Sequence, residues 1–259
     1  MGLLPDVLRR TSAVKRVVFE LRRQLALALR TVRDRTSGLR RRMVERRRAE
    51  SGRADNFPSQ ITIEQPILPT EFVAAKIHNI ELARRQFQNL PIPPNAIFSF
   101  WHLVGRPTPT NGFQRGRSLL GGKLRADYGG GLCQLSGIIY HASLVAGLRI
   151  RERHPHSRDL YAESTRYTPL GADATVAYGF KDLRVENSLS VPICYRVMLS
   201  EDRIACSVCA TTPIAPCLIE FASISPPASA GVVETRRQRP GETRFQVLSV
   251  SRYQKQNRS

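Results

Sequence analysis

The sequence predicts an α+β protein. A central helix follows a glycine-rich turn and packs on a mostly antiparallel sheet, and a basic amphipathic helical arm precedes it. Three observations carry this expectation. Apolar residues recur every three or four positions from Val14 to Val32, the period of one helix face. The stretch from Leu132 to Leu148 is apolar on most faces and opens directly from Gly129-Gly130-Gly131, as a buried helix with a tight entry would. Beyond Arg149, short apolar runs alternate with turn residues, the pattern of antiparallel strands.

Taken in order, residues 12–48 read as helix, broken near Gly38, with Val14, Val17, Val18, Leu21, Leu25, Ala28, Leu29 and Val32 on one face and most arginines off it. Arg40–Arg42 and Arg46–Arg48 follow as two basic runs. Residues 49–60 are polar, contain Gly52 and Pro58, and read as a linker. A short strand is expected at Ile61-Thr62-Ile63. A helix is expected over 70–89, with Thr70 as its cap and Pro91, Pro93 and Pro94 as its stop. The aromatic run 96–104 reads as a buried strand and 105–131 as loop. Strands are expected within Ala174–Phe180, Lys181–Asn187, Val191–Leu199 and Arg203–Thr211, with turns at Asn187–Ser190 and Glu201-Asp202. Residues 213–259 read as a Pro-rich, then basic tail with one added strand at 245–250. The expected organisation is an arm and linker (1–55), a main domain (56–222) and a basic tail (223–259).

The net charge of +19 is uneven: residues 1–53 hold 16 Lys/Arg against 5 Asp/Glu. Such an arm implies an acidic partner. An anionic membrane surface against residues 1–53 is one expectation. Docking of the apolar stripe on the main domain, or on a second copy, is the other. Nucleic acid is disfavoured, because no aromatic interleaving or reader motif accompanies the charge. No secretory signal or run long enough to span a bilayer is expected. Five cysteines at uneven spacing do not suggest a disulfide framework. Reduced thiols and a cytoplasmic location, peripheral at the inner membrane if the arm docks there, are the simpler expectation.

The sharpest chemical feature is Gly129-Gly130-Gly131-Leu132-Cys133-Gln134-Leu135-Ser136. Cys133 falls in the first helical turn, where free N–H groups and the dipole favour a thiolate. The dipole gives roughly 0.3–1 kcal/mol, too little by itself for a thiol of pKa about 8.5. A neighbouring base is required. His154 and His156 follow the helix and share a face if the chain there is extended; Asp173 and Asp182 come later. Cys133 as nucleophile, His156 as base and Asp173 as the group orienting it satisfy the logic of nucleophilic catalysis. The Cys133 N–H or Gln134 would help hold an oxyanion. The same turn also reads as a ligand site for an anion, built from Gly129, Gly130, Gly131, Gln134 and Ser136, or as architecture alone. No cofactor motif is present. Cys206-x-x-Cys209 has a zinc-like spacing, but a strand sends residues three apart to opposite faces, so no metal is expected. Glu163 with Asp173 offers a weaker alternative, sugar-bond cleavage by paired carboxylates. His102 and His141 read as packing residues.

From about Thr70 to Leu199 the chain resembles the VanW family. The likeness rests on Phe98-Ser99-Phe100-Trp101, Val104-Gly105, Gly112-Phe113 and the GGGLCQLS stretch at 129–136. It continues in Ala146-Gly147-Leu148, Glu152-Arg153, His156-Ser157, Gly171-Ala172-Asp173-Ala174-Thr175-Val176, Tyr178-Gly179, Asp182-Leu183 and Asn187. The family is named from vancomycin-resistance gene clusters. The resemblance implies a bacterial protein connected with the cell envelope and peptidoglycan. It assigns no catalytic residue; the Cys–His–Asp set comes from residue types and order. Two readings stay open. One is a Cys–His hydrolase or transferase acting on an envelope amide or peptide. The other is an envelope-associated binding or scaffold protein with an anion or ligand site at the GGGLCQ turn.

Overall fold

The computed structural model describes residues 4–45, 57–120, 123–159, 166–225 and 231–254. Arg46–Arg48, Glu163 and most of the expected linker lie outside the described residues. In chain order the elements are α1 (Leu4–Thr36), α2 (Leu39–Arg42), β1 (Ser59–Pro66), α3 (Val73–Arg84), β2 (Ile97–Ser99) and α4 (Phe100–Val104). There follow β3 (Arg115–Leu120), β4 (Lys123–Tyr128), α5 (Leu132–Val145), β5 (Arg149–Glu152), β6 (Arg184–Glu186), β7 (Ile193–Leu199) and β8 (Arg203–Ala210). The last three strands are β9 (Leu218–Ser223), β10 (Gly231–Gln238) and β11 (Gln246–Tyr253).

The α+β class holds, and among the described residues the named strands pair with one another antiparallel. Three three-stranded sheets run β1-β8-β7, β2-β6-β5 and β11-β10-β9, and β3-β4 form a hairpin. Helix α5 lies at the centre, against β1, β8, β5, β9 and α3. Its Leu135, Ile138, Ile139, Tyr140, Ala142 and Leu144 are buried in one continuous core with Phe87, Phe98, Phe100, Tyr195 and Val208. Full burial of such side chains is worth about 1.5–3 kcal/mol each, which fixes the entry of α5, and so Cys133, firmly in place. The Tyr195 hydroxyl reaches Ser143 Oγ on α5 at 2.7 Å, so these two deep hydroxyls satisfy one another.

Several local expectations are corrected. The run 96–104 is only briefly a strand. It turns into α4 after Ser99, whose hydroxyl accepts the His102 N–H, a side-chain cap that ends one element and starts the next. Residues 105–131 are not all loop. RGRSLL and KLRADY pair as β3 and β4. Residues 174–180 form no strand; they make a turn closed by Ala177 and Lys181. The C-terminal region holds β9, β10 and β11 rather than one added strand.

The arm is also corrected. Gly38, at φ 71°, separates α1 from α2 as expected. The apolar stripe of α1, however, does not dock on the main domain. Its polar face does. Arg184 on β6 bonds Asp34 through both terminal nitrogens, each at 2.7 Å, with both side chains buried. Arg30 grips Glu152 at the end of β5 at 2.6 and 2.9 Å. Paired, bidentate ions can be buried where lone ones cannot, and these pairs decide which face of α1 turns inward.

Candidate active site

The turn before α5 has the shape its glycines permit. Gly129 and Gly131 have φ of 88° and 97°, a region other residues avoid. A Cβ on Gly131 would sit 2.8 Å from Lys76 Cγ, and one on Gly129 would sit 2.9 Å from Leu132 Cδ1. The space over these two glycines is therefore filled by protein. The turn is latched from below by Asn79, fully buried on α3. Its Nδ2 donates to the Gln114 and Gly130 carbonyls at 3.0 Å each, and its Oδ1 accepts the Gln114 N–H at 2.8 Å.

Cys133 is half-buried in the first turn of α5. The N–H groups of Leu132, Gln134 and Leu135 bond the Gly129 and Gly131 carbonyls, while that of Cys133 has no acceptor among the described residues. Its thiol donates to the Val176 carbonyl at 3.7 Å. The neighbours in the GGGLCQLS stretch turn elsewhere. Gln134 Nε2 donates to the Pro66 carbonyl at 2.9 Å, and the Ser136 hydroxyl to the Ala174 carbonyl at 2.6 Å. Both are buried. Ser136 thereby ties α5 to the segment that carries Asp173.

His156 and Asp173 meet. His156 Nδ1 lies 2.7 Å from Asp173 Oδ2, and the His156 backbone N–H donates to the same oxygen at 2.6 Å. The other oxygen of Asp173 accepts from Arg153 Nη2 at 2.9 Å and from the Tyr253 hydroxyl at 2.5 Å. Arg153 itself is nearly buried, over the Tyr140 ring with its guanidinium carbon 4.9 Å from the centroid. It also bonds the Gly171 carbonyl. Burial opposes charge on both partners of the His–Asp pair. Against it, the hydrogen bond from His156 and the charge of Arg153 hold Asp173 well below the usual carboxylate range. Burial likewise opposes the imidazolium, yet the bond to Asp173, followed by contact with the Cys133 sulfur, raises His156 to about 10. At neutral pH His156 is an imidazolium set between a carboxylate and a sulfur.

The two histidines do not share a face, because the chain leaves its strand at Glu152. His154 instead lies 3.0 Å from Glu152. Asp182 is buried in a different role, accepting from Ser99 Oγ at 2.6 Å and the Trp101 N–H at 3.0 Å. Cys206 and Cys209 point to opposite faces of β8. Cys206 joins the main core, while Cys209 faces Cys194 beside Phe57. Burial lowers His141 to about 4, and its ring packs edge-on against Phe221. A pocket of about 430 Å³, partly open to solvent, adjoins the histidine side of the site. His156, Asp173 and Tyr253 form part of its wall, with Arg158, Tyr167 and Leu170.

Two members of this arrangement lie beyond what the sequence reveals. Arg153 is visible beside the histidines, but nothing in its spacing points to Asp173. Tyr253 lies in a segment that reads as tail. The alternation of Val247, Ser249 and Ser251 with Leu248, Val250 and Arg252 is the one available signal of the strand that delivers it.

The profile of the family described as VanW like protein matches residues 75–209. The chain belongs to the VanW family. Cys133, His156 and Asp173 all fall inside the VanW segment, and Tyr253 outside it. Among curated relatives, the chain is 37% identical over 122 residues to the Bacillus subtilis (strain 168) protein named uncharacterized protein YoaR, covering 47% of this chain and 39% of the relative. It is 32% identical over 129 residues to the vancomycin B-type resistance protein VanW of Enterococcus faecalis (strain ATCC 700802 / V583), covering 50% of this chain and 47% of the relative. The match thus spans less than half the length of each. No solved structure matches.

Proposed function

We propose that this VanW-family chain is a thiol-dependent acyl hydrolase or transferase, with Cys133 as nucleophile, His156 as acid–base group and Asp173 as the residue that orients His156. The single observation that carries the reading is the His156 Nδ1–Asp173 Oδ2 contact at 2.7 Å, with the Cys133 sulfur near enough to His156 to favour the imidazolium. Three residues far apart in sequence converge in the order the chemistry requires.

The steps follow from the geometry. In the reactive form the Cys133 proton is on the imidazole, and the sulfur attacks an acyl carbon. The carbonyl electrons move to oxygen, which takes the Cys133 N–H as a donor. Collapse of this adduct expels the leaving amine, which takes its proton from His156. The resulting thioester is resolved by water or by an acceptor amine, whose proton returns to His156. The choice of acceptor separates hydrolase from transferase. The substrate class is an amide or peptide of the bacterial envelope. Support for that class is the family membership and the name of the Enterococcus relative, a vancomycin-resistance protein.

The test is the pH dependence of iodoacetamide alkylation at Cys133, followed by peptide mass spectrometry in the intact chain. The other four cysteines are buried and serve as internal controls. Fast alkylation near neutral pH, slowed by His156→Ala, is expected. A Cys133 that reacts like a free thiol of pKa about 8.5 and ignores His156→Ala overturns the enzyme reading. It would favour the binding or scaffold alternative.

A further inference from the structure

The outward face of α1 has no role in the site and no partner among the described residues. Val14, Val17, Leu21, Leu25, Leu29 and Val32 are each 58–63% exposed, and Val18 is 41% exposed. At 100° per residue they form one continuous stripe of about 27 Å. An apolar surface of this extent facing water is uncommon and marks a binding surface. Lys15, Arg22 and Arg33 run along one edge of the stripe and Arg35 lies on the other, all exposed. No ion pair holds them among the described residues. The two acids within this length of helix are both engaged elsewhere: Asp34 is buried against Arg184, and Glu20 lies against Arg23 and Arg106.

We propose that this face of α1 docks on an anionic lipid bilayer, with the stripe in the boundary between headgroups and acyl chains and the basic edge on lipid phosphates. The charge pattern chooses this occupant. Two copies joined through the stripe would bring Lys15, Arg22 and Arg33 of each beside the other's stripe edge, with no outward acid between residues 14 and 36 to answer them. A nucleic acid would engage the basic edge and leave seven apolar side chains in water. A helix with a large apolar face, a basic flank and no span-length apolar run is the form that lies in a membrane interface. Among the described residues no helix is long and apolar enough to cross a membrane.

The orientation is built in. The inward face of α1 grips Glu152, packs Phe19 against Phe180 at 5.5 Å between ring centroids, and lies over Gly179 through Arg23. That turn, between Val176 and Asp182, also carries the carbonyl that receives the Cys133 thiol. A bilayer on the outer face would therefore hold the Cys133 side of the domain close to the membrane plane.

Flotation of the full chain with sealed vesicles tests this, comparing pure phosphatidylcholine with an equimolar mixture of phosphatidylcholine and phosphatidylglycerol. Binding to the mixed vesicles at low salt and little to the neutral ones is expected. The triple variant Leu21→Gln, Leu25→Gln, Leu29→Gln should lose it. The triple variant Lys15→Gln, Arg22→Gln, Arg33→Gln should weaken it by roughly a hundred-fold, at about five-fold per charge. All six residues are exposed, so an unchanged circular dichroism spectrum and melting curve accompany either variant. Binding that survives the leucine triple and follows charge alone overturns the proposal. So does a dimer in sedimentation velocity that Leu25→Gln dissociates while wild-type chain ignores the mixed vesicles, which would make a second copy the occupant.

Discussion

Replacing Asp173 by Asn should lower the pH at which His156 titrates. In the folded chain His156 titrates at about 10 against an ordinary value of 6.5. That interval corresponds to about 5 kcal/mol of preference for the imidazolium, at 1.36 kcal/mol for each tenfold change. Against burial, which lowers it, the preference is carried by Asp173, which meets the ring at 2.7 Å, together with the Cys133 sulfur. The ring is only 18% exposed, so solvent screens little of it. The amide in Asp173→Asn would keep the shape and remove the charge. Burial would then be opposed by the Cys133 sulfur alone, and Arg153, no longer neutralised, would add repulsion. His156 should titrate well below about 10 in the variant. The assay is a carbon-detected NMR titration of labelled histidine, with His156 assigned by its loss in His156→Ala. The sign carries over to stability. Because the folded value is raised, the contribution of this pair is full below pH 6.5 and is lost as pH rises through about 10. Urea midpoints should fall over that interval in the wild type and stay flatter in Asp173→Asn. A wild-type His156 titrating near 6.5, or one unmoved by Asp173→Asn, would refute this account of the site.

Tyr253→Phe removes one donor to the Asp173 carboxylate and should cost about 1.5–3 kcal/mol of stability, read as a lower urea midpoint, with the ordered β11 retained in the circular dichroism spectrum. Asp34→Ala leaves Arg184 without its bidentate partner, at about 3–5 kcal/mol for a broken buried pair. Since Arg184 keeps Asp182 at 3.1 Å and Glu152 at 3.4 Å, the lower end is expected, and limited proteolysis should cut α1 first. Gly131→Ala meets both a φ of 97° and Lys76. It should destabilise by at least about 1–3 kcal/mol and slow Cys133 alkylation, while Gly38→Ala, with nothing near it, carries backbone strain alone.

The parts of the fold that can be read from sequence are those in which one local pattern dominates. Helix α5 is apolar on most faces, and its glycine entry announces itself. Strands β7 and β8 are apolar-rich runs bounded by turn residues. Where a tertiary contact decides, the sequence is silent. Phe100–Val104 has the composition of a strand but becomes helix because Ser99 caps it and Asp182 takes the Trp101 N–H. The stripe of α1 reveals the helix and its period correctly. Which face turns inward is set by Asp34 and Arg30, two charged residues whose partners lie on β6 and at the end of β5. In the candidate site, residue types and order point to Cys133, His156 and Asp173, and the structure brings them together. Arg153 and Tyr253 are not foreseeable from spacing, because their importance arises only once β5 and β11 converge on Asp173.

The position of Tyr253 on the last strand has a consequence in time. Chains are made from the N-terminus at about 5–20 residues per second, and the segment matched to the family is complete at residue 209. A chain paused there already holds its thiol, imidazole and carboxylate, but not the hydroxyl that closes the Asp173 shell. Only when β11 has cleared the ribosome and paired with β10 does the carboxylate gain its final donor. The Asp173 carboxylate thus gains its last donor only after the scaffold around it has set.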